Sequence, residues 1–169
     1  MKPPEARPTA RATTILGIDP GSQVTGFGVV ESRASASRLV ACGASRASAG
    51  EDLPQRLHRI YEFVTSLIER YRPAVLVVED AFYGRNVQSL KAIGQVRGVV
   101  ILAGAVAGIP VYEYSPREVK KAVAGRGDAS KEQVQRMVQT VLGLVQPPRP
   151  HDASDALAIA LCHSHRHFV

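Results

Sequence analysis

Thr14-Ile-Leu-Gly-Ile-Asp19 is an apolar, β-branched run that stops on an acid and is closed at once by Pro20-Gly21. It reads as a strand entering a tight turn. Working outward, Gly26-Phe-Gly-Val-Val-Glu31 and Leu39 to Ser45 read as two more strands, joined by short polar loops into an antiparallel meander. The period then changes. Leu53, Leu57, Ile60, Tyr61, Val64, Leu67 and Ile68 recur at helical spacing, with Asp52 placed to cap. Beyond Pro73, Val75-Leu-Val-Val-Glu79 carries four apolar residues in a row, as a strand buried on both faces requires.

The second half alternates. Residues 87–108 read as a helix, with Gly94, Gly98, Gly104 and Gly108 marking close backbone approach to a sheet or to a second copy. Val111-Tyr-Glu-Tyr114 is a short strand. Ser115-Pro116 opens a helix with serine at the cap and proline in the first turn. Ser130 and Gln133 form a capping-box pattern for the next, and the apolar stretch from Ala153 to Cys162 is the last. The order β-β-β-α-β-α-β-α-α-α predicts an α/β protein with a five-stranded mixed sheet flanked by helices on both faces.

Composition narrows the partners. Lys and Arg total 21 against 15 acids in 169 residues, a net charge of +6. The excess is concentrated between Phe82 and Arg136, where nine basic residues face four acids. Such a surface suits a polyanion, nucleic acid before membrane, although a merely solvated basic face reads the same way from charge alone. Residues 1–12 hold three prolines with Lys2, Arg7 and Arg11 and no periodicity, which predicts a flexible basic arm before one domain over 13–169. Cys42 and Cys162 lie far apart, so neither a disulfide framework nor a cysteine-rich zinc site is expected. The longest apolar stretch, Val99 to Ala107, is too short to span a bilayer, and the N-terminus lacks a secretory core. A cytoplasmic protein with no membrane contact is the expectation.

Four acids point to chemistry. Asp19 and Glu79 end apolar strands and so lie at the rim of the sheet, where α/β sites form. Asp152 and Asp155, three apart on the last helix, share a face. Converging carboxylates suit Mg²⁺ or Mn²⁺, hard cations that keep waters and phosphate oxygens. Two such ions roughly 3.5–4 Å apart can clamp an in-line phosphodiester displacement. Taken singly, Asp19 also reads as a turn residue, Asp152 as a helix cap and Asp155 as a surface acid.

Gly17-Ile-Asp-Pro-Gly-Ser-Gln-Val-Thr-Gly26 resembles the opening signature of the RuvC family of Holliday-junction resolvases (crossover junction endodeoxyribonucleases). Val78-Glu-Asp-Ala-Phe82 is similar to the family's second acidic motif, and Gly94-Gln-Val-Arg-Gly98 to the segment after it. Tyr114 to Gly125 resembles the lysine-bearing stretch, and His151-Asp-Ala-Ser-Asp-Ala-Leu-Ala-Ile-Ala160 the C-terminal acidic helix. The likeness runs in order from about Thr14 to His165.

That resemblance implies an RNase H-like fold in a homodimer whose paired sites nick a four-way DNA junction symmetrically, leaving ends a ligase can join. Asp19, Glu79, Asp152 and Asp155 would hold two metal ions per active site. Phe82 would wedge against unstacked bases at the crossover, and Lys120 and Lys131 would lie near the scissile phosphate. Cooperation with a branch-migration helicase complex, in recombination and DNA repair, is implied too. Phe82 also reads as a core anchor, and Tyr83 can share its role. Arg85, Lys91, Arg97 and Lys121 read as phosphate contacts or as solvated surface. The chain departs from the family in its additional arm and in carrying Asp152 where some relatives have histidine; His151, just before it, reads as a helix-entry residue. His163, His165 and His167 alternate and read as surface. Three other readings compete. One is a ribonuclease H or another nuclease on the same scaffold. The second is an actin- or sugar-kinase-type ATP-binding domain, echoed by Asp19-Pro-Gly21. The third is a junction-binding protein without catalysis, against which the intact acids speak.

Overall fold

The computed structural model describes residues 12–33, 36–80 and 87–168. The basic arm read over residues 1–12 falls, apart from Ala12, outside them. β1 (Thr13–Asp19), β2 (Val24–Arg33) and β3 (Ala36–Arg46) form the meander, followed by α1 (Leu53–Tyr71) and β4 (Val75–Glu79). Then come α2 (Val87–Val106), β5 (Val111–Tyr114), α3 (Pro116–Ala124), α4 (Lys131–Val141) and α5 (His151–His167). One five-stranded sheet results, in the order β3-β2-β1-β4-β5. The meander pairs antiparallel, and β4 and β5 add in parallel beyond β1.

Element order follows the sequence expectation, and the helix starts do too. Asp52, Ser115 and Ser130 each cap through a reciprocal box with Gln55, Glu118 and Gln133. These are short-range hydrogen bonds that satisfy otherwise orphaned helix N–H groups. Two boundaries differ. β2 and β3 run to Arg33 and Ala36, beyond the apolar segments, because ladder pairing such as Glu31 with Arg38 and Ser32 with Ser37 recruits residues of weak strand preference. α5 extends to His167, five residues past the apolar stretch that announced it.

Alternation along the strands builds two cores. Leu16, Ile18, Val29, Leu76 and Val78 pack beneath α1 and α2. Ile15, Val30, Val75 and Val77 face the opposite way, toward α3, α4 and α5. Apart from Asp155, α5 is buried from Ala153 to Ser164, between the sheet and the outer pair α3 and α4. Its far end is tied down where Ser164 Oγ shares hydrogen bonds with Ser32 Oγ at 2.8 Å and Ser37 Oγ at 3.0 Å.

α5 lies unusually close to the sheet because the strands beneath it present glycine. A Cβ on Gly17 would fall 2.2 Å from the Ala156 carbonyl oxygen, and one on Gly26 would fall 2.1 Å from that of Asp152. Gly17 pairs with Gly28 across β1 and β2, and Asp19 pairs with Gly26. The glycines therefore carve the groove that brings the first turn of α5 down beside the acid of β1.

Among the described residues, no helix is long and apolar enough to cross a membrane. Cys162 is buried and Cys42 half-buried, both as free thiols.

Candidate active site

β1 and β4 run parallel, with Ile18 opposite Val78, so Asp19 and Glu79 follow side by side at the strand ends. Parallel partners in register point to the same face, here the face carrying α5. Asp155, one turn into α5, and Lys120 of α3 and Lys131 of α4 complete a cleft of about 280 Å³. Lys131 Nζ lies 3.4 Å from Asp155 Oδ2. Asp152 lies on the neighbouring side and lines a second, more open groove with Ser22, Gln23 and Val24. Both α5 acids fall near the positive end of that helix, which favours negative charge.

The electrostatics are those of crowded acids. Burial pushes the Asp19 carboxyl up to about 7, and repulsion from Glu79, Asp155 and Asp152 adds to it against the pull of Lys131. Burial and Asp155 raise Glu79 as well, while Lys131 and Lys120 draw it down. Lys131 is raised in turn, chiefly by Asp155. Negative charge here exceeds what the two lysines offset.

Oxygen-only donors from β1, β4 and α5 are the chemistry a hard divalent cation selects, so the set fits Mg²⁺ or Mn²⁺. Among the described residues, no three Asp, Glu, His or Cys side chains are already gathered into one ligating cluster. Asp19, Glu79 and Asp155 line the cleft, and Asp152 lines the neighbouring groove.

Other residues singled out in the sequence fall differently. Lys91 on α2 and Lys121 on α3 are exposed and outside the cleft. The Arg97 guanidinium is largely covered and pairs with Asp80, at 3.2 Å, and with Glu113. Those acids flank the ends of β4 and β5, so Arg97 ties the rim together. Phe82, Tyr83 and Arg85 lie outside the described residues. His151 begins α5 and is exposed, 3.4 Å from the Gln135 amide.

The surface reading of the histidines is corrected at His163, which is 3% exposed. Its Nδ1 lies 2.9 Å from the Tyr114 hydroxyl, His167 Nε2 lies 3.1 Å from the same oxygen, and the two rings stack at 4.3 Å. Alternate spacing concealed this, because the partners are His163 and His167, a helical turn apart. The packing glycines were also missed; their signal was period two, Gly26 and Gly28 on one strand facing Gly17 on another.

A mixed sheet with acids at the ends of its adjacent parallel strands, and a further acidic helix laid across them, defines an RNase H-like nuclease. Comparison with known proteins carries this to a family. The model for the family described as crossover junction endodeoxyribonuclease RuvC matches residues 15–163, and this chain belongs to that family. The RuvC of Moorella thermoacetica is 53% identical over 150 residues, covering 89% of this chain and 90% of the relative. Thermus thermophilus RuvC superposes with a TM-score of 0.83 at 39% identity, over 90% of this chain and 93% of that one. A second structure, of T. thermophilus RuvC in complex with a Holliday junction substrate, superposes with a TM-score of 0.82 at 37% identity and the same coverage.

Proposed function

We propose that this chain is a structure-specific endonuclease that resolves four-way DNA junctions by symmetric, metal-dependent phosphodiester hydrolysis, in homologous recombination and DNA repair. The observation that carries the reading is the cleft in which Asp19, Glu79 and Asp155 face Lys120 and Lys131, in a chain of the RuvC family. The junction itself is inferred from the Thermus relative, solved with a Holliday junction substrate.

Asp19, Glu79, Asp152 and Asp155 would hold Mg²⁺ or Mn²⁺, two ions to each site. Bound there, such ions activate water and stabilise the leaving oxygen. The chain's own residues supply the rest. The rigid ends of β1 and β4 fix two carboxylates, and the docked first turn of α5 fixes the others. Lys131, reaching over Asp155, meets the non-bridging oxygens of a phosphate in the cleft, and Lys120 supports it from α3. Exposed Lys91 and Lys121 extend the positive surface toward the arms. Base contact by Phe82 and Tyr83, and phosphate contact by Arg85, belong to the same reading on family grounds.

Two symmetric nicks need two sites, so we infer a homodimer. Support comes from α2, where Gly94 and Gly98 meet nothing within 4 Å among the described residues and Leu102 and Val106 are 53% and 67% exposed. Those four recur at four-residue steps along one stripe, suited to close approach of a second copy. Action in the cytoplasm with a branch-migration helicase complex completes the proposal.

The test is cleavage of a labelled, mobile four-way junction with Mg²⁺, with Mn²⁺ and with EDTA, beside linear duplex and RNA–DNA hybrid. Metal-dependent paired nicks confined to the junction are expected. Cutting of the hybrid alone would keep the fold and replace the substrate.

A further inference from the structure

A second groove lies near the catalytic cleft. Asp152, whose charge helps to raise the Asp19 carboxyl, lines it together with Ser22, Gln23 and Val24 at the β1–β2 connection and Ala92 and Ile93 of α2. Its volume is about 550 Å³, room for a nucleotide with water to spare. A DNA strand whose phosphate enters the cleft must continue past it, each nucleotide advancing roughly 3.4 Å along the duplex axis. This groove offers such a strand a path on the Asp152 side of the site.

The chemistry of the walls differs on the two sides. Among the described residues, none lining the second groove is Lys or Arg, and one is an acid. Such a surface repels a phosphate. Val24, Ala92 and Ile93 offer an apolar floor to a base, while the Ser22 hydroxyl and the Gln23 amide offer donors and acceptors to its edge. An amide presents both together, the pattern that pairs in two places with adenine.

The turn that carries Gln23 is held rigidly. Thr25 Oγ1 donates to the Gly21 carbonyl oxygen at 2.9 Å, and the Ala47 N–H donates to the Gln23 carbonyl oxygen at 2.8 Å. A Cβ on Gly21 would fall 2.1 Å from the Val24 carbonyl oxygen, so the turn closes tightly on itself. The Gln23 side chain is exposed on this pinned backbone, beside a carboxylate of the candidate site. A reading group needs that combination, because a floppy amide accepts any base.

We infer that this groove receives the base of a nucleotide adjoining the scissile phosphate, and that Gln23 determines which base is cut efficiently. The inference rests on the junction-resolving reading above. Gln23 touches substrate for selection and takes no part in the hydrolysis.

The experiment compares full-length wild type, Gln23→Ala and Gln23→Glu on synthetic four-way junctions that differ in one base at a time around the cut. Single-turnover rates in Mg²⁺ and junction affinity are both read. Wild type should spread its rates across the bases at one position. Gln23→Ala should compress that spread on the order of tenfold with affinity for the junction unchanged. Gln23→Glu keeps an acceptor and loses the amide donor, so it should reorder the preferred bases. An unaltered spread in both variants, or an equal fall on every substrate, would overturn the assignment. Failure of wild type to cut any junction would instead remove the parent reading, a result distinct from either.

Discussion

The α carbon of Gly26 faces the carbonyl oxygen of Asp152 so closely that a Cβ would fall 2.1 Å from it, with backbone atoms as the obstacle. Neither partner can move alone, since Gly26 pairs with Asp19 and Asp152 is in the first turn of α5. Gly26→Ala should therefore lift α5 from the strand that carries Asp19. We expect a loss of roughly 1–3 kcal/mol in urea unfolding, as overpacking typically causes, and a fall in junction cleavage larger than the unfolded fraction explains. Gly94→Ala, which meets open space among the described residues, is the contrasting case. It should raise helix stability by up to about 1 kcal/mol while weakening self-association on sedimentation. Equal stability of Gly26→Ala and wild type would refute the docking role.

Asp19 and Glu79 end adjacent parallel strands and share one face. Asp19→Asn or Glu79→Gln should reduce junction cleavage to background and leave junction binding in place on gel shift. Wild-type nicking by either variant would sink the metal assignment.

The raised Asp19 titration makes a signed claim about the metal-free protein. Its carboxyl is held up at about 7, against 3.8 for an ordinary aspartate, so between those values the folded chain binds more protons than the unfolded one. The contribution of Asp19 to stability must then fall as pH rises across that window and level off above it. The full penalty is on the order of a few kcal/mol, shared among the interacting acids. Asp19→Asn should flatten the slope, and Mg²⁺ should oppose it in wild type. A stability profile in EDTA that is identical for the two proteins would contradict the crowding.

His163 gives the opposite slope. Burial, reinforced by stacked His167, lowers it to about 4 from the 6.5 of an ordinary histidine, and Arg166 lies over the ring of its partner Tyr114 at 5.0 Å. Stability is complete above the unfolded value and is lost as pH falls from about 6.5 toward 4. His163→Gln should remove most of that acid-side slope, on the order of a couple of kcal/mol. Thermal unfolding between those limits measures it; an unchanged slope would place the acid sensitivity elsewhere.

Lys131 opens α4 and reaches Asp155 across the cleft. Removing its charge in Lys131→Gln should slow the cleavage step by roughly a hundredfold, the size of losing one donor to developing negative charge. Lys131→Arg should restore part of the rate. A change in junction affinity alone, with the single-turnover rate intact, would reduce Lys131 to a phosphate anchor.

Much of the architecture was legible because its causes are local. Asp52 with Gln55, Ser115 with Glu118 and Ser130 with Gln133 announce helix starts within four residues, and each box forms in the structure. Apolar runs that end in Asp19 and Glu79 announce strands ending at a rim. His163 was misread because spacing carries no information on burial; its partner, Tyr114, is far off in sequence.

By itself the sequence determined the order of elements and their caps, since propensity, periodicity and capping act over a few residues. Tertiary structure decided where the acids at the strand ends and on α5 lie. Asp155 shares a cleft with Asp19 and Glu79, while Asp152, three residues away, turns toward a second groove. That division depends on how closely α5 can approach the sheet. The limit is set by missing side chains at Gly17, Gly26 and Gly28, which come from two strands and face α5 together only once β1 and β2 are in register.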